Sequence, residues 1–269
     1  MPSLSFIGNY TSYLRIPNVA DLNFGTGDFT IEWFQYQTDS NSFPRIFQIG
    51  SYVDGTTIGV SIESGTFYYW TNGSANAATY LESSQYKNQW VHFAICRASG
   101  TTQVFVNGTS VYNTSVVTDF TSSNDLVIGN ETTVVNVDPN NLTDVNNANS
   151  TAFGGIMSYF TWVKGAALHT SNFPVPTDYP TVTSDYRLLL KEDSFEGTLG
   201  STVVNNLVST ALSVPPGFPG SPPSPSFTPP TNMKKSLFSN NAMVFYKPGS
   251  LTPGGVGGVG NASIKARRT

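Results

Sequence analysis

Residues 90–111 constrain the fold of this chain more than any other stretch. Val91, Phe93 and Ile95 alternate with Trp90, His92 and Ala94, Ser99-Gly100 interrupts, Val104 and Val106 alternate again, and Asn107-Gly108 closes the run. An apolar residue at every second position is the period of a half-buried strand, and Asn-Gly suits the left-handed backbone of a two-residue hairpin turn. The segment reads as a meander of strands, not as an active-site loop.

The same alternation recurs along the chain. In residues 28–37, Phe29, Ile31 and Trp33 alternate with Asp28, Thr30 and Glu32, and further strands are expected at 3–6, 13–16, 43–49, 57–62, 66–71, 125–128, 154–163 and 186–190. Two sheets, each with one inward face, bury this many alternating apolar positions, so the expected fold is an all-β antiparallel sandwich. The chain of 269 residues is long enough for a full core. Only 11% of it is charged, which gives a surface polar through amides and hydroxyls, as in extracellular or particle-borne β-proteins. Residues 136–151 are rich in Asn and Asp, lack alternation and are expected to form a loop. Cys96 is the single cysteine, so no intrachain disulfide is possible, and its place in a strand makes it a buried small hydrophobe.

Composition divides the chain into three. Residues 1–212 are the sandwich. Residues 213–231 are dominated by proline, which can neither pair within a sheet nor continue a helix, and read as an extended linker. Residues 232–269 form a basic, Gly-rich tail expected to be extended. Lys234, Lys235, Lys247, Lys265, Arg267 and Arg268 give this tail a charge of +6 with no acid, whereas residues 1–231 carry −10. No stretch approaches the ~18 apolar residues that span a bilayer, and no N-terminal run reads as an export signal. The expectation is a chain with no membrane span and no signal peptide.

Four pieces, in order, resemble the laminin-G-like branch of the concanavalin A-like jelly rolls: Leu4-Ser-Phe-Ile-Gly with Tyr13-Leu-Arg-Ile-Pro, Asp28-Phe-Thr-Ile-Glu-Trp, Trp90-Val-His-Phe-Ala with Val104-Phe-Val-Asn-Gly, and Leu126-Val-Ile-Gly with Phe153-Gly-Gly-Ile. The resemblance covers residues 3–210 and implies a two-sheet jelly roll. Lectins, glycosidases, adhesion modules and structural proteins all use that fold, so function has to come from the site.

Retaining glycosidases need two carboxyl groups about 5–5.5 Å apart. Glu32 stands alone in its strand, while Glu192 and Asp193 are adjacent and would face opposite ways, which argues against an enzyme. His92, in a strand, and His169, in a loop, form no expected zinc cluster with the lone cysteine. Relatives of this type bind calcium through loop carboxylates and amides. Asp138, Asn140 and Asp144, with Asn146, offer such oxygens, and turn chemistry is the competing account of them. Tyr68, Tyr69 and Trp70 offer an aromatic platform for a glycan, although three consecutive strand residues must place at least one on each face.

The tail carries Leu237, Phe238, Phe245 and Tyr246 as apolar anchors among its basic residues. A basic arm of this kind fits an acidic protein groove, and its six scattered charges fall short of a nucleic-acid arm. Lys247-Pro-Gly-Ser-Leu, Gly-Gly-Val-Gly and the terminal Ile264-Lys-Ala-Arg-Arg-Thr resemble the C-terminal ends of virion proteins from large DNA viruses of algae and other protists. That resemblance implies a non-enzymatic minor capsid protein, assembled in the host cytoplasm and resident in the virion, whose arm docks on other shell proteins. A glycan-binding module using the sandwich loops or a sheet face is the alternative.

Overall fold

The structure is a computed structural model that describes residues 4–38, 41–50, 58–63, 65–71, 74–80, 83–136, 138–191, 194–196, 204–205, 236–238 and 241–243. Two antiparallel sheets face each other. The first runs in the order β10 (Thr109–Thr114), β9 (Thr101–Val106), β8 (Trp90–Ala98), β3 (Phe29–Gln37), β12 (Gly154–Lys164), β13 (Tyr186–Lys191), β14 (Ser194–Glu196), with β1 (Leu4–Ile7) also beside β12. The second runs β15 (Val204–Asn205), β2 (Leu14–Ile16), β11 (Leu126–Ile128), β4 (Arg45–Ile49), β5 (Ile58–Glu63), β6 (Thr66–Thr71), β7 (Ser74–Tyr80). Non-sequential neighbours such as β3 beside β12 and β4 beside β11 are the crossings of a jelly roll.

The alternation read from the sequence sets which side chains meet between the sheets. Phe29, Ile31 and Trp33 of β3 and Val91, Phe93 and Ile95 of β8 point inward to meet Phe47, Val60, Ile62 and Phe67 of the second sheet. Trp33 stacks on Phe93 at 5.4 Å and meets Phe47 edge-on at 5.6 Å, while Phe67 stacks on Phe93 at 5.3 Å. Offset and edge-on aromatic pairs of this kind add to the burial that holds the sheets together. Arg97, fully buried, closes one end of this core. Its guanidinium donates to the carbonyls of Gly27, Thr118 and Gly25 at 2.6–2.7 Å and lies over the rings of Phe29 and Phe120, so its charge is satisfied without a carboxylate.

The meander has two tight turns as expected. Ser99 and Gly100, at φ 47° and 84°, join β8 to β9, and Asn107 and Gly108, at φ 47° and 74°, join β9 to β10. Residues 136–151 depart from the expected loop. After the short α1 (Ser83–Tyr86), they contain the second helix, α2 (Leu142–Ser150), capped by Asn141, whose side chain accepts from the amides of Thr143 and Asp144. In the described part of the tail, β16 (Ser236–Phe238) pairs with β17 (Asn241–Met243), with Leu237 opposite Ala242.

Gly108 lies directly under the segment that follows β12, and a Cβ there would overlap the carbonyl oxygen of Phe173. Its left-handed backbone alone costs an L residue about 1–2 kcal/mol. Gly108→Ala is therefore expected to destabilise the fold by about 2 kcal/mol or more, read as a lowered urea midpoint with an unchanged denaturant slope.

Candidate functional site

A sandwich leaves each sheet with one outer face. In the first sheet that face is closed by residues 165–185, which run across it as an irregular strap. Leu168 donates its amide to Thr30 Oγ1 at 2.8 Å, and Phe173 donates its amide to the Gly108 carbonyl at 2.9 Å. Strap residues then pack on the outward side chains of the sheet: Phe173 and Ala167 against Phe105, Ala94 and Cys96, and Val175 and Tyr179 against Phe34 and Tyr159. Burial pushes the Cys96 thiol up to about 12, which leaves it protonated and matches the reading of Cys96 as a small hydrophobe.

Under the strap lies a group that sequence reasoning kept apart. Glu32 of β3 is 1% exposed, and His169 of the strap places Nε2 at 2.9 Å from its Oε2. His92 of β8, opposite Phe34, places its Nε2 at 3.5 Å from the same oxygen. Desolvation by burial drives the Glu32 pKa up, but the contacts from His169 and then His92 outweigh it, and the net shift is below the ordinary carboxylate value. His169 therefore donates to a carboxylate. Pairing of β8 with β3 sets His92 near Glu32, and the fold of the strap, invisible in local pattern, carries the loop residue His169 to the same carboxylate. Among the described residues no group of three or more His, Cys, Asp or Glu is arranged to hold a metal ion. The arrangement is a latch for the strap.

Among the described residues, the second sheet is covered over only part of its outer face. At the β2–β11 side, Val127 and Tyr13 pack under Ala148 of α2 and Val134, and Gln48 of β4 donates to the Gly50 carbonyl at 3.0 Å and to Thr132 Oγ1 at 3.3 Å. The β4–β6 side has a different surface. Strand parity puts Phe67 and Tyr69 in the core and Tyr68 and Trp70 outward, half-buried, with ring centroids 5.7 Å apart and planes 34° apart. Tyr69 is thus removed from the expected glycan contacts.

Around the two outward rings stands a fixed polar set. The Arg45 guanidinium lies 4.9 Å over the Trp70 ring and donates to Glu63 Oε1. Ser61 Oγ donates to the same Glu63 oxygen at 2.7 Å and accepts from the Trp70 indole N–H at 2.7 Å. Every rotamer in the set is therefore tied to a neighbour. Gly59, paired with Trp70, leaves a step in the face beside the indole, where a Cβ would crowd Gln48 and the Phe47 carbonyl.

The other expected sites fare differently. Asp138 Oδ1 accepts from the amide of Asn140 at 2.9 Å, an Asx turn, and Asp144 lies in the first turn of α2, so local turn and helix chemistry accounts for these three residues. Leu237 and Phe238 lie in β16. Lys234, Lys235, Phe245, Tyr246, Lys247, Lys265, Arg267 and Arg268 lie outside the described residues, as do Glu192 and Asp193.

Two facing antiparallel sheets with crossed connections define a jelly-roll sandwich, here with one outer face strapped and the other carrying an aromatic patch. The chain belongs to the concanavalin A-like lectin/glucanases superfamily, whose laminin G family model matches residues 8–146. Comparison with curated protein sequences finds no match. Similar solved structures include a candidate carbohydrate-binding protein of Bacteroides ovatus, at 15% identity and TM-score 0.49 over 72% of this chain and 52% of that one. They also include a heptameric SAP-like pentraxin of Limulus polyphemus, at 17% identity and TM-score 0.48 over 75% of this chain and 93% of that one. A third is the LG4-5 pair of the mouse laminin α1 chain, at 17% identity and TM-score 0.44 over 68% of this chain and 48% of that one. This chain thus spans about half the length of the Bacteroides and laminin chains.

The latch has a pH signature. A carboxylate whose folded pKa is lowered contributes stability that is complete above its unfolded value, about 4.3, and is lost as pH falls through the folded value. Amide protection across residues 166–179, followed by hydrogen exchange, is expected to hold down to about pH 4.3 and to fall below it. In Glu32→Gln that acid step should vanish. Protection unchanged until global unfolding would contradict the latch.

Proposed function

We propose that this protein is a non-enzymatic glycan-binding module whose contact surface is the outer face of β4, β5 and β6. The observation that carries the reading is the set of Trp70 and Tyr68 rings with Arg45, Glu63 and Ser61 fixed around them. A saccharide offers an apolar ring face and a belt of hydroxyls. Its ring face stacks on an aromatic side chain, and its hydroxyls exchange hydrogen bonds with carboxylate and guanidinium groups, which supply only acceptors and only donors respectively. A preorganised polar set loses little side-chain entropy on binding, because its rotamers are already held.

The chemistry of this face supports binding over hydrolysis. Glu63 is the single carboxylate carried by β4, β5 and β6, and it is engaged by Arg45 and Ser61, whereas glycoside cleavage uses a pair of carboxyl groups. A shell-protein role, read from the tail, has no comparable support: the family match ends at residue 146, and two of the four apolar anchors and all six basic residues of the tail lie outside the described ones.

Titration of the full chain against a panel of immobilised neutral and acidic glycans tests the proposal. The wild type is expected to bind a subset, and Trp70→Ala to weaken binding roughly tenfold or more, the ~1.4 kcal/mol scale of an aromatic hot spot. Leu142→Ala, at an exposed position on α2, is expected to bind as the wild type does. Equal binding by Trp70→Ala and wild type, with both folded by circular dichroism, would overturn the assignment of the face.

A further inference from the structure

At one end of the sandwich, where β3 and β5 run out, the sheets part around a cavity of about 430 Å³. Its floor is apolar and buried, made by Tyr86 and Ile62, with the Gln37 side chain beside them. Gln37 is the last of a buried polar row on the inner face of β3. Trp33 Nε1 donates to Gln35 Oε1 at 2.8 Å, and Gln35 Nε2 donates to Gln37 Oε1 at 3.4 Å, so a line of amides leads from the core to the cavity. Buried amides are costly unless bonded, and this row carries a polar group to the floor of the recess beside Tyr86 and Ile62.

The walls are just as mixed. Phe43, 47% exposed, presents a ring to the opening. Asn41 donates through Nδ2 to the carbonyls of Gly8 at 3.0 Å and Ala152 at 2.8 Å, which fixes the side chain and leaves Oδ1 as an acceptor. Lys87 supplies the positive charge, and no ion pair among the described residues includes it. A second depression, of about 300 Å³ around Arg15, differs in this respect, because Asp125 already neutralises that guanidinium. Lys87 therefore gives the end cavity, of about 430 Å³, a cation that no described residue pairs with, over a recess lined by amide and aromatic side chains.

We propose that this cavity is the subsite for an anionic saccharide unit, one bearing a carboxylate such as a uronic or sialic acid. It deepens the glycan-binding reading and rests on it. The Lys87 ammonium meets the carboxylate in a charge-assisted hydrogen bond, Asn41 accepts from a ring hydroxyl, and Phe43 covers an apolar face. The cavity and the aromatic face belong to one surface. Phe43 and Arg45 are two residues apart on a segment whose amides bond to the carbonyls of Ser150 and Thr151, so both project to the same side, and Arg45 is the residue on which Trp70 rests.

The test uses the full chain and paired probes: sialylated and uronic-acid oligosaccharides, each beside its carboxyl-reduced neutral counterpart. Wild type is expected to favour the acidic member about tenfold, and Lys87→Gln to bring its affinity down to that of the neutral member, whose own binding stays unchanged. Lys87→Arg should restore most of the preference. Binding of both members through Trp70 with no acidic preference, or a preference that survives Lys87→Gln, overturns the subsite while leaving the glycan-binding face in place. Binding of neither member by the wild type overturns both.

Discussion

The strap across the first sheet is the constraint on which the rest of the molecule depends. A β-sandwich has two outer faces that could meet a partner, and here residues 165–185 bury one of them beneath aromatic and aliphatic contacts. The contact that ties strap to sheet is polar, the His169 imidazole on the buried Glu32 carboxylate. A carboxylate with no partner at that depth would cost several kcal/mol, so the imidazoles of His169 and His92 are what allow Glu32 to be both buried and ionised. With that face closed and α2 lying over the β2–β11 side of the other sheet, the β4–β6 surface and the adjoining sandwich end are, among the described residues, the surfaces left to the proposed recognition.

Three of the buried polar groups in this fold follow one rule. Arg97 is satisfied by three carbonyls, Glu32 by imidazoles, and the Trp33–Gln35–Gln37 row by successive side-chain hydrogen bonds. Each lies at a different margin of the apolar core: one end, the outer face of the first sheet, and the opening beside Lys87. Polar chemistry has thus been placed where the sandwich meets its covering segment or its rim, while the centre between the sheets is left to Trp33, Phe47, Phe67, Phe93 and Trp162.

Much of the sandwich was legible because a strand with one buried face writes its orientation into every second residue. β3 and β8 begin within a residue of the expected positions, and β6 matches residues 66–71. The same parity separates Tyr69 from Tyr68 and Trp70 once Phe67 is recognised as a core residue. α2 was illegible because it buries chiefly Ala148, and its Asn-rich sequence resembles a turn; the capping role of Asn141 was the available signal. β7, a run of Ser, Ala, Asn and Thr, carries little apolar alternation to read. The Glu32–His92–His169 convergence had no local signature, since His169 reaches Glu32 across 137 residues only after the strap folds over the sheet.

The central claim is that recognition belongs to the β4–β6 face and not to the strapped one. Carbene footprinting of the full chain, free and with a retained glycan, measures this most directly. The account predicts labelling of Tyr68 and Trp70 in the free protein, protection of both on binding, and little labelling of Phe34, Phe105 and Tyr159 in either state. Strong labelling beneath the strap, or ligand protection there with Trp70 unchanged, would contradict it.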